Sequence, residues 1–154
     1  MKKTLSLFVI TAILLSCADT SSKTTANKPA PVDSLIANWS NSWSNHDSAG
    51  VSNLFLADAL LIDDDLIATN TAEISNKWIQ PNINVVSHFK TTSLQSWSTN
   101  DRAGYTGKYE FDVVVKDSVV ARSKGLYTVN WIKTDKGEWK INIATIHSLE
   151  EKIK

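Results

Sequence analysis

The sequence predicts an α+β domain in which three N-terminal helices pack on a strongly curved antiparallel sheet. Three observations carry that expectation. Apolar residues recur at helical spacing in the first half, switch to a period of two beyond Val85, and are cut into hairpins by polar turn signals. Helices followed by an antiparallel meander bury their apolar stripes on one face of the sheet. With 154 residues, 42% hydrophobic and 21% charged, the chain holds one globular domain and a substantial core.

The elements follow in order. Asp33-Ser34 reads as an N-cap, and Leu35, Ile36, Trp39 and Trp43 then mark helix one with an aromatic stripe. Asp47-Ser48 caps a short second helix that carries Val51, Leu54 and Phe55 inward. Ala59 to Ile62 is a brief strand entering the acidic turn Asp63-Asp64-Asp65. Asn70-Thr71-Ala72-Glu73 has capping-box spacing, and Ile74, Trp78 and Ile79 mark a third helix ended by Pro81.

Val85 to Trp97 reads as a long strand. Ala103, Tyr105, Tyr109, Phe111, Val113 and Val115 then share one face, with Thr106, Lys108, Glu110 and Asp112 opposite. Lys116-Asp117-Ser118 turns the chain into a strand from Val119 to Ile132, and Asp135-Lys136-Gly137 turns it into another from Trp139 to Ser148.

The first 32 residues have a different logic. Met1-Lys2-Lys3 is a positive start, and the apolar stretch Leu5 to Leu15 is too short to span a bilayer as a helix, so residues 1–16 read as a signal peptide. Leu14-Leu15-Ser16-Cys17 resembles the lipobox of bacterial lipoproteins. That resemblance implies acyl chains on Cys17, cleavage before it, and a lipid anchor in the bacterial cell envelope. Residues 17–32 lack aromatic side chains and cannot repay the entropy of ordering, so they read as a flexible tether to a domain over 33–150. Cys17 is the only cysteine, so no disulfide is expected. Losing Lys2 and Lys3 turns a balance of 16 basic and 16 acidic residues into a net charge near −2, with no basic field for nucleic acid.

Several motifs of the domain resemble the nuclear transport factor 2-like superfamily, and most of all its SnoaL-like and ketosteroid isomerase-like branch. They are Trp43 before His46-Asp47, the run Leu54-Phe55-x-x-Asp58-Ala59-x-Leu61, Gly107 before Tyr109, and Gly125-x-Tyr127-Thr128-Val129-x-Trp131 leading into Gly137-x-Trp139-Lys140-Ile141. The resemblance covers roughly residues 33–149. It implies a cone-shaped fold enclosing a pocket, and relatives that often dimerise through the outer sheet face. It also implies that Asp63 stands where ketosteroid isomerase-like enzymes keep a carboxylate base. The donors those enzymes aim at an enolate oxygen have no counterpart here: Trp39 stands at the tyrosine position, and Val129 or Asn130 at that of the protonated aspartate.

His147 alternates with Trp139, Ile141, Ile143 and Thr145, which places it on the inward face and makes it a candidate partner for Asp63. His46 reads as part of an inter-helix turn, and the facing of His88 stays open. The three histidines form no ligand pair, so no metal and no cofactor is expected. Trp39, Trp43, Tyr105, Tyr109, Tyr127 and Trp131 line a pocket or form a solid core. The leading expectation is a membrane-anchored module without catalysis that binds a small apolar ligand or pairs with itself as a homodimer. The alternatives are an isomerase, dehydratase or cyclase using Asp63 and His147, and a purely structural dimeric envelope component.

Overall fold

The computed structural model describes residues 29–149. The expected leader over 1–16, Cys17 and the tether up to residue 28 lie outside the described residues. Helix α1 (Val32–Ser44) buries Ile36, Trp39 and Trp43, spaced three and four apart as a one-sided helix requires. It starts earlier than expected: Pro31 is the N-cap and makes no side-chain cap, and Asp33 sits in the first turn, where the helix dipole favours an acid. Ahead of it Ala30 is already buried, with its N–H donating to Thr99 O at 3.3 Å.

Helix α2 (Ser48–Asn53) is capped as expected, with the Asp47 carboxylate accepting from the Gly50 N–H at 2.8 Å. Lys140 Nζ donates to Asn53 O at 2.6 Å and occupies one of the carbonyls left over at the other end. Strand β1 (Phe55–Asp63) forms a tight hairpin with β2 (Leu66–Ala68) through Asp64 and Asp65.

The third helix is composite: α3 (Thr71–Ile74), a π-helical turn (Ser75–Ile79) and a last turn α4 (Gln80–Asn82). Asn70 caps it by accepting from Glu73 N–H at 2.9 Å. Pro81 does not end the helix but lies inside the last turn. A proline lacks the N–H and crowds the carbonyl four residues back, so a wider turn just before it is the natural accommodation. The Gln80 N–H accordingly reaches back five residues to Ser75 O.

Strands β3 (Val86–Ser98), β4 (Arg102–Val115), β5 (Ser118–Lys133) and β6 (Trp139–Ser148) complete a six-stranded sheet in the order β2-β1-β6-β5-β4-β3. The meander is antiparallel as expected. β1 runs parallel to β6, a pairing between distant segments that the periodicity does not reveal. Extra residues interrupt the ladders at His88-Phe89, Leu94, Val120 and Asn142. Each bulge raises the local twist and bends its strand, which curves the sheet around α1. Lys116 and Asp117 both have positive φ, 48° and 60°, as a two-residue hairpin turn demands.

Candidate functional site

The inner face of β1 carries Ala59 and Leu61, both fully buried, and two residues further along the same face comes Asp63. The carboxylate is therefore half-buried, while Asp64 and Asp65 take the exposed turn. Asp63 Oδ2 accepts from Trp78 Nε1 at 2.7 Å. The π turn supplies that donor: the widened backbone keeps Ile74, Trp78 and Ile79 all buried, and Asn82 Nδ2 donates to Trp78 O at 2.8 Å. π-Helical turns of this kind are frequent at functional sites.

Asp63 lies on the wall of a cavity of about 100 Å³. Seven aromatic rings line it in two groups. Trp39, Trp43 and Trp78 form one, with Trp43 edge-on to Trp78 at 4.9 Å between centroids and Trp39 at 5.9 Å from Trp78. Phe89, Tyr109 and Phe111 form the other, three nearly parallel rings 5.8–6.5 Å apart. Tyr127 joins them, stacked on Trp39 at 6.4 Å and edge-on to Tyr109 at 6.3 Å. Asn82, Val86, Ile146 and Ser148 fill the gaps.

The electrostatics are one-sided. Burial pushes the Asp63 carboxyl above the usual range; the Trp78 bond pulls it partly back, and neighbouring Asp64 adds to the rise. Burial, with Tyr105 beside it, pushes the Tyr127 hydroxyl far above the phenol range, so it remains a neutral donor. Trp39 Nε1 and Trp43 Nε1 are buried and find no hydrogen-bond partner. Among the described residues that line the cavity none is basic, and Asp63 is the one with a formal charge. No group of three or more potential ligands is placed to hold a metal ion among the described residues.

Comparison with known protein families finds no matching family, and comparison with curated proteins finds no match. Solved structures do match. The chain is similar to a ketosteroid isomerase-like protein from Erwinia carotovora atroseptica, at 12% identity and a TM-score of 0.66 over 77% of this chain and 94% of that one. It is similar to a nuclear transport factor 2-like superfamily protein from Salmonella enterica, at 13% identity and a TM-score of 0.66 over 79% and 91%. A nuclear transport factor 2-like protein with a cystatin-like fold from Novosphingobium aromaticivorans matches at 15% identity and 0.63 over 78% and 80%. This chain has the nuclear transport factor 2-like fold. At such identities the likeness carries architecture alone.

Within this nuclear transport factor 2-like domain the expected site residues separate. Asp63, Trp39, Trp43, Tyr109 and Tyr127 line the same cavity. Tyr105 and Trp131 are buried but do not line it; they belong to solid core. His147 is a correction: its side chain is 68% exposed and its Nδ1 lies 3.0 Å from Asp64 Oδ1. The cause is Asn142, an extra residue on β6 that has no partner between Trp131↔Ile141 and Asn130↔Ile143. Beyond it the buried positions become Ala144 and Ile146, so the odd-numbered face, His147 included, turns outward.

The other histidines serve structure. His46 Nδ1 donates to Ile83 O at 2.6 Å, capping the end of the third helix, so its proton sits on Nδ1. His88 is exposed at the bulge of β3, 3.2 Å from Asp112, which also pairs with Arg122 at 3.1 Å. Sequence reading passed over Trp78, Phe89 and Ser148 as cavity residues. The spacing of Ile74, Trp78 and Ile79 already marks Trp78 as part of the third helix but not its reach to Asp63, and Phe89 lies in the bulge that shifts the phase of β3. Tyr109 Oη and Ser148 Oγ, 3.3 Å apart, stand on the same cavity wall.

Proposed function

We propose that this domain is a binding module, tethered to the bacterial envelope through acyl chains on Cys17, that holds a small apolar or amphipathic molecule in the Asp63–Trp78 cavity without transforming it. The observation that carries the reading is the cavity itself: seven rings and one carboxylate around about 100 Å³. Ligand sites are typically concave, mostly aromatic or aliphatic, and equipped with a few polar groups.

Absence of turnover rests on the pairing of Asp63 and the position of His147. Acid–base chemistry on a carbonyl substrate needs a base and a second group within reach of the same atoms. Asp63 already accepts from Trp78, and His147 is engaged by Asp64 outside the cavity.

Thermal unfolding of the purified chain against a panel of small apolar and amphipathic compounds tests the reading. A ligand at 100 times its dissociation constant adds about 2.7 kcal/mol, roughly 10 °C for a domain of this size. The variant Ile146→Phe, which fills the cavity from β6, is expected to keep its fold and lose the shift. Stabilisation that survives Ile146→Phe would move binding elsewhere. Turnover of an enone that disappears in Asp63→Asn would replace binding by catalysis.

A further inference from the structure

We infer that the ligand of the cavity is a small alkylammonium ion, its positive head held against the indole and phenol rings with Asp63 as counter-ion. The inference deepens the proposed function and rests on it.

The sign of the charge follows from the lining. Aromatic faces carry the negative side of a ring quadrupole, and Trp is the strongest of them toward a cation. Three tryptophans and two tyrosines are among the residues that line the cavity. Asp63 adds a formal negative charge, and none of the cavity-lining residues is Lys, Arg or His. The carboxylate is held by one neutral donor, Trp78, and has Asp64 next to it in the chain. A half-buried carboxylate without a cation is an arrangement that proteins normally relieve by pairing.

The alternatives fare worse on the same grounds. An anion would meet the carboxylate with no basic side chain to offset it. A neutral apolar molecule would strip water from Asp63 and return nothing for it. An ammonium ion satisfies the carboxylate and the rings together.

Choline and its uncharged carbon isostere, 3,3-dimethylbutan-1-ol, separate charge from shape. Tryptophan fluorescence of the full chain, titrated with each, is expected to show choline binding at least about tenfold tighter than the isostere. Asp63→Asn, which keeps an acceptor for Trp78, is expected to weaken choline about tenfold and leave the isostere unchanged. Equal or tighter binding of the isostere, or full choline affinity in Asp63→Asn, overturns the ammonium assignment and leaves the cavity reading standing. Failure of both compounds to bind, with Ile146→Phe without effect on any compound of the panel, overturns the cavity reading itself.

Discussion

Asp63 and Asp64 are adjacent in the chain, yet the fold drives their protonation in opposite directions. Asp64 sits in the exposed turn with φ of 48° and accepts from the Ser148 N–H and from His147, which holds its carboxyl below the usual range. Asp63 points the other way, into aromatic surroundings, and is held above it. A raised carboxyl binds its proton more tightly folded than unfolded. Its ionised form therefore costs stability above the folded value, and the cost fades as pH falls through that value toward the unfolded 3.8. Asp63→Asn is expected to melt higher than the natural chain at pH 7, with the gap closing as the pH falls toward 4. Melting curves followed by circular dichroism check this. A lower melting temperature for Asp63→Asn at pH 7 would mean that Asp63 stabilises the empty domain, and the counter-ion argument would lose its footing.

Two local irregularities build the site from regular elements. The π turn before Pro81 brings Trp78 to Asp63, and the Asn142 bulge turns Ile146 inward and His147 outward. Close packing at Gly125 fixes a third part. A Cβ there would lie 2.3 Å from His147 O and 2.5 Å from the Tyr109 ring, so the cavity wall at Tyr109 leans on a position that admits no side chain. Gly125→Ala is expected to cost about 2–3 kcal/mol in urea unfolding. Gly137→Ala, with φ of 82° and open space around it, is expected to cost about 1 kcal/mol through backbone strain alone. Equal costs for the two would show that the contact at Gly125 carries no weight.

Across the whole molecule the described domain contains no helix long and apolar enough to cross a membrane. In the proposed arrangement attachment falls to Cys17, where two or three acyl chains make a lasting anchor because each buried methylene contributes about 0.8 kcal/mol. Cys17→Ser is expected to move the protein from the membrane fraction to the soluble one, and mass spectrometry of the natural chain to show an acylated amino-terminal cysteine. A natural chain recovered as soluble protein, with an unmodified Cys17, would end the lipoprotein proposal. Such tethering suits a binding module, since it confines the cavity to a thin layer at the membrane and raises the encounter rate with ligands released there.

Periodicity and turn chemistry place most of the elements, but Phe55, read with the second helix, opens β1, and the short strand β2 leaves no signal of its own. The spacing of Ile36, Trp39 and Trp43, the cap at Asp47, the alternation around Tyr105 and Tyr109, and the Lys116-Asp117 turn are local properties that the folded chain keeps. Asp63 stood out only through the resemblance to ketosteroid isomerase-like enzymes; the residues themselves read as an exposed acidic turn, and the fold instead continues the inward series Ala59, Leu61 to Asp63. The shift in β6 left a faint trace in the spacing of Ile141, Ile143 and Ile146, two residues and then three. What only the tertiary structure decided is who shares the cavity. The parallel pairing of β1 with β6, the phase after each bulge and the reach of Trp78 across to Asp63 are set by contacts between segments far apart in the chain, and side-chain period carries no record of them.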